Sequence, residues 1–226
     1  MTGDGAVTLR PDHGDMAGFQ ALNAAGVSIV ALLNRRFAER DGGAGLAAML
    51  ANTRQLKTMA MNNGQLIQQP SISVFCYRVS VDRETRPGWS AVAHADGVPR
   101  LPLRLHFLLG AFASTVEEEL LWLGLAASIL EGEGILTGPL LLPATQPGGA
   151  VNPWRPGDTV QVVTDDLAMD SMSEAFQALS TDYRLQLPYL ARVICLEGAA
   201  QPVGVPVATV AGGLGRLDDL EDAVAP

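Results

Sequence analysis

The chain has 226 residues, 48% of them hydrophobic, 17% charged and 5% aromatic, and its 15 Lys and Arg against 24 Asp and Glu leave a net charge of −9. That apolar content fills a sizeable core built mainly of Leu, Val and Ala, which excludes a chain disordered throughout. The acidic balance, with arginines scattered and Lys57 the sole lysine, excludes the basic stripe that a nucleic-acid phosphate surface requires.

A charged fraction this low suits a subunit that buries part of its surface against partners; a compositional bias towards Ala, Gly and Val would read the same way. The N-terminal stretch MTGDGAVTLRPDHGD has neither a basic region nor an apolar run, so no secretory signal is expected. No apolar run approaches the roughly 20 residues of a membrane span, because the richest is broken from Ser114 to Glu119. Cytoplasmic assembly without membrane insertion is the expectation. Cys76 and Cys195 both sit in apolar strand-like runs and read as buried free thiols of a reducing compartment.

Residues 1–15 are Gly- and Asp-rich and read as a flexible N-terminus. From Met16 to Arg40 the pattern is helical: Phe19, Leu22, Ala25, Ile29, Leu33 and Phe37 recur at spacings of three and four and share one face. Asp15 suits the N-cap, and Asp41-Gly42-Gly43 ends the helix. Between Ala44 and Gln69 the signal is mixed. Leu46–Leu50 reads as a helical turn, and Thr53–Met61 alternates loosely like an edge strand.

Ser71–Glu84 is the clearest strand, with Phe75, Tyr77, Val79 and Val81 on one face and Ile72, Val74 and Cys76 on the other. Apolar residues on both faces of its first half predict a central position. After a Pro/Gly loop, Leu103–Ala113 reads as a second strand, with Leu103, Leu105, Phe107 and Leu109 on one face and Arg104, His106 and Leu108 on the other. Ser114 or Thr115, followed three residues later by Glu117 or Glu118, predicts a capping box. The helix that follows carries more leucine than one face needs, so it is expected to be largely enclosed until Gly132 and Gly134 end it.

Ile135–Asp158 reads as a long Pro/Gly connection anchored by Trp154. Thr159–Thr164 is a short strand, Asp165–Ser180 a turn and a short helix, and Leu185–Leu196 the last strong strand. Pro188 should fall there at a bulge or a non-bonding edge position. The expected fold is α+β: a mixed or antiparallel sheet covered by an N-terminal helix, a long central helix and a short third helix. Residues 16–198 would form one domain and 199–226 an extended C-terminal tail.

Candidate chemistry is sparse. His106 beside Arg104 is the most suggestive position, but a catalytic histidine needs a nucleophile or an orienting carboxylate, and a single sequence does not reveal one. The carboxylate clusters Asp165-Asp166 and Glu117-Glu118-Glu119 are accounted for by a turn and a helix start. Ser114 and Thr115 lack a nucleophile elbow. Gly212-Gly213-x-Gly215 lacks the strand, helix and Lys/Ser of a phosphate loop. No catalytic, cofactor-binding or metal-binding residue is therefore expected.

Three ordered blocks carry a family resemblance: Pro70–Val79 (PSISVFCYRV), Leu101–Leu136 with its His106-Phe107 pair and acidic-started helix, and Asp166–Leu196 with Phe176, Tyr183-Arg184 and Tyr189. Together they resemble the cap, or tail-terminator, proteins of phage-tail-like contractile injection systems. Leu187-Pro188 and the Ala/Gly-rich stretch 41–51 depart from that pattern. The resemblance implies a non-enzymatic structural subunit, a homo-hexameric ring, that closes the distal end of the inner tube and sheath. It implies no cofactor and no nucleic-acid partner. Two alternatives stay open: a terminator of a contractile phage tail, and a small-molecule-binding or enzymatic domain using the Arg104/His106 strand face.

Overall fold

Apolar residues repeating every three to four positions wind residues Ala21–Glu39 into helix α1, which buries Ala21, Ala25, Ile29, Leu32, Leu33 and Phe37. The computed structural model describes residues 18–40, 45–60, 70–89, 98–168, 170, 171, 173, 174, 177 and 184–198. Phe19, expected on the buried face, lies before the helix and is 76% exposed. The positions expected to cap and end this helix, Asp15 and 41–43, lie outside the described residues.

The next two elements are the reverse of the expectation. Residues Ala47–Leu50 form strand β1 and Thr53–Ala60 form helix α2. The reasons are local side-chain hydrogen bonds. The Asn34 side chain donates to the Ala48 carbonyl at 3.0 Å and accepts from the Ala48 amide at 2.7 Å, acting as a neighbouring strand on the open side of β1. Asn52 and Gln55 exchange reciprocal bonds, each 2.9 Å, between side-chain oxygen and backbone amide. That is a capping box, and it starts α2 at a point where alternation suggested a strand.

Strand β2 (Ser71–Val81) pairs in parallel with β1 over residues 71–74 and antiparallel with β3 (Arg100–Phe112) along its whole length. Beyond β3 the sheet continues through β8 (Gln186–Glu197), β7 (Thr159–Thr164) and β4 (Ile135–Thr137), in the spatial order β1-β2-β3-β8-β7-β4. All pairings but the first are antiparallel, so the sheet is mixed. The 135–158 connection, read as irregular, supplies β4 and a small hairpin of β5 (Ala144–Gln146) and β6 (Gly149–Val151). Trp154 anchors it as expected: its indole N–H donates to the Leu142 carbonyl at 2.7 Å.

Helix α3 (Val116–Glu133) and α1 cover one face of the sheet. Their Leu33, Phe37, Leu123, Ala126, Ile129 and Leu130 meet Ile72, Val74, Leu105, Phe107, Leu109, Val160 and Ile194 in the main core. Each fully buried Leu, Ile or Phe there contributes about 1.5–3 kcal/mol by leaving water. A smaller core of Ala51, Leu56, Phe75, Leu108 and Phe112 lies on the opposite face under α2, so helices cover both faces. The expected short third helix is helical at the described positions 170, 171, 173, 174 and 177; Met172, Ala175, Phe176 and Leu179 lie outside the described residues.

Three further expectations need correction. A bulge between Cys76 and Arg78 turns Val79 and Val81 off the face of Phe75 and Tyr77 and onto that of Leu105 and Leu103, and beyond the end of β1 at Leu50 they are 49% and 38% exposed. Cys76 is exposed there as well, not buried. Pro188 lies inside a central strand, between β3 and β7. Its carbonyl accepts from the Asp165 amide at 3.0 Å, so its missing N–H faces the point where β7 has already ended.

Candidate functional site

The face of the sheet bearing the smaller core holds a continuous polar network. His106 on β3 and Ser80 on β2 point to the same side, and the Ser80 Oγ lies 2.8 Å from the His106 Nε2. The other ring nitrogen, Nδ1, lies 2.7 Å from Oδ2 of Asp165, the residue directly after β7. The Tyr77 hydroxyl donates to the same Asp165 oxygen at 3.2 Å, and its ring meets the His106 ring edge-on at 5.8 Å. Because a carboxylate only accepts, Nδ1 presents its proton to Asp165. Burial, followed by the nearby Asp165 charge, pushes the Tyr77 hydroxyl up to about 12.

This is the partner set for His106 that the sequence left open, and it has the order of a nucleophile, a base and an orienting carboxylate. Among the described residues, the remainder of an acyl-transfer site does not stand beside it. Ser80 is the last residue but one of β2, paired with Arg104 of β3 and not set on a sharp turn. Cavities of about 500 and 580 Å³ open elsewhere, the first against Asp82, Trp154 and Arg192 and the second against Leu130, Gly134 and Val162; neither is lined by Ser80, His106 or Asp165. The network's evident work is to tie β2, β3 and the exit of β7 together.

Arg104, one residue pair further along the same face, is also engaged. Its guanidinium lies 2.8 Å from Asp82 and 3.1 Å from Glu84. Burial alone would raise the Asp82 carboxyl, but the Arg104 guanidinium and the amides of Thr85 and Glu84 outweigh it and hold the group below the usual carboxylate range. Arg104 and His106 are thus brought onto one face as expected, but into two separate ties.

Two of the three carboxylates that open α3 are engaged within the fold. Thr115 caps α3 by accepting from the Glu118 amide at 3.3 Å, and Glu118 reaches back to the Ser114 amide at 3.1 Å. Glu119 pairs with Arg184 at 3.1 Å, and Arg184 lies 4.8 Å over the Phe112 ring. Among the described residues no group of three His, Cys, Asp or Glu is placed to hold a metal, and no helix is long and apolar enough to cross a membrane. Gly212, Gly213 and Gly215 lie outside the described residues. Burial pushes the half-buried Cys195 thiol up to about 11, which leaves it a poor nucleophile.

Helix α3 departs from its expected enclosure. Only Leu123, Ala126, Ile129 and Leu130 are buried, while Val116, Leu120 and Leu121 are 58%, 54% and 61% exposed. The excess apolar surface noted in the sequence therefore faces outward. It is the largest run of exposed apolar side chains on one described element.

A family model described as the Pvc16 N-terminal domain matches residues 26–209. Among solved structures, the chain is similar to the PVC sheath/tube terminator in the extended state, from an extracellular contractile injection system, at 18% identity and a TM-score of 0.47. That likeness covers 83% of this chain and 62% of the other. A second likeness, to the tube-terminating cap of the anti-feeding prophage, has 13% identity and a TM-score of 0.46 over 84% of this chain and 60% of the other. The chain thus spans less than two thirds of the length of either. No curated protein matches.

Proposed function

The chain belongs to the Pvc16 N-terminal domain family, and from that premise we propose that it is a structural subunit that closes the distal end of the tube and sheath of a contractile injection particle. The observation that carries this reading is one of range. The family match over residues 26–209 spans the three ordered blocks, 70–79, 101–136 and 166–196, that resemble cap and tail-terminator proteins. The protein works by contact, not by chemistry. Copies join as a homo-hexameric ring, and the ring meets the inner tube on one side and the last sheath layer on the other. In this reading residues 16–198 are the cap domain and 199–226 a tail, and assembly takes place in the cytoplasm before the particle leaves.

The exposed apolar face of α3 and the engagement of Arg104, His106, Asp165, Glu118 and Glu119 in internal ties favour this over an enzymatic reading. The direct test adds purified full-length chain to polymerising tube protein and measures tube lengths by electron microscopy. Shortened tubes bearing extra density at one end are expected. Tubes of unchanged length and bare ends would overturn the proposal.

A further inference from the structure

On the outer side of α3, Val116, Leu120, Gly124, Ser128 and Gly132 follow one another every four residues, with Glu117 and Leu121 alongside. All of these are exposed. A Cβ built on Gly124 or Gly132 meets nothing within 4 Å, so the chain's own packing gives no reason for glycine there. The helix has Glu at 117, 118, 119, 131 and 133 and no Lys or Arg. A second α3 laid against this face would set glutamates against glutamates, so a partner must bring arginine and apolar surface together.

The chain carries such a surface at the far end of its sheet. Val79 and Val81 are exposed at the end of β2, and Arg83 and Arg86 follow them, both exposed and without an ion pair among the described residues. Arg35 and Arg40 are exposed too, but they lie close enough to Glu133 to depress its carboxyl, after the larger effect of Arg36. They therefore already serve the other end of α3.

Val81 is registered opposite Leu103, whereas α3 starts just after Phe112. At about 3.3 Å per residue the two patches are roughly 30 Å apart along the sheet. One molecule cannot close them on itself; two copies can.

We propose that copies of this chain associate head to tail, the Val116–Glu117–Leu120–Leu121 face of one α3 docking on the Val79–Val81–Arg83–Arg86 end of the next copy. Such a contact is heterologous and repeats until its rotation closes a ring. The proposal rests on the ring reading above and adds to it which surfaces meet.

The experiment is sedimentation of the full chain over a concentration series, with four variants at exposed positions and circular dichroism to verify that each is folded. Glu117→Arg, Arg83→Glu/Arg86→Glu and Leu120→Ser/Leu121→Ser should each weaken association at least about tenfold, whereas combining Glu117→Arg with Arg83→Glu/Arg86→Glu should recover most of the loss. Assembly of the wild type and of every variant alike would overturn the docking while leaving the ring intact. A wild type that stays monomeric at all concentrations would overturn both docking and ring. Self-association appearing only after residues 199–226 are removed would assign the face to the chain's own tail and overturn the proposal. The terminator role itself is judged separately, by tube length.

Discussion

The His106 Nδ1 lies 2.7 Å from the Asp165 Oδ2, so a strand in the middle of the sheet is fastened to the residue that directly follows β7. Replacing Asp165 with Ala leaves a mostly buried imidazole and the Tyr77 hydroxyl without their acceptor. The expected cost is about 1–3 kcal/mol. For a domain of this size that lowers the thermal midpoint by roughly 2–4 °C per kcal/mol, measured by circular dichroism. Ser80→Ala removes a part-buried hydroxyl only, and about 1 kcal/mol or less is expected.

If the same network is a tie and not a catalytic centre, the Ser80 hydroxyl has no special reactivity. Incubation with a fluorophosphonate probe, read by intact mass, should leave the wild type unlabelled and indistinguishable from Ser80→Ala. A stoichiometric adduct on Ser80 would revive the enzymatic alternative.

The Asp82 carboxyl is 1% exposed and bound to Arg104, and its pKa is lowered in the fold. A carboxyl with a depressed folded pKa stabilises the fold above its unfolded value, near 3.9, and loses that contribution as pH falls below it. Asp82→Asn should therefore be less stable than wild type at pH 7, and the gap should narrow as the pH is lowered from about 4 towards 2. Urea midpoints at a series of pH values measure this. A gap independent of pH would contradict it.

Two glycines around α3 should respond in opposite directions. A Cβ at Gly134 would stand 2.5 Å from the Val162 carbonyl oxygen and 2.7 Å from that of Leu130, both backbone atoms. Gly134→Ala should displace the β4–β7 junction and cost several kcal/mol. Gly124→Ala meets nothing within 4 Å in the isolated chain, and replacing a mid-helix glycine should stabilise it by about 0.5–1 kcal/mol. Thermal unfolding of the two variants side by side is the measurement.

What the residue pattern carries and what it omits follow from the range of the interactions. Periodicity placed α1, β2, β3, α3 and β7, because burying one side of an element leaves a mark every two or three to four residues. It misassigned 46–61, where the deciding bonds are made by side chains. Asn52-x-x-Gln55 was readable as a capping box, but the clasp of Asn34 on Ala48 spans 14 residues and leaves no local trace. The partners of His106 lie 26 and 59 positions away, beyond anything spacing on one strand can show. The outward apolar face of α3 was legible as an excess of leucine, whereas the direction it faces depends on where the sheet lies.

The proposal that this chain ends a tube and anchors a sheath is tested most directly by imaging particles assembled with every other component present and this chain absent. Electron microscopy should then show tubes of uncontrolled length, with sheaths detached or missing at the distal end. Particles of normal length with an anchored sheath would contradict the account.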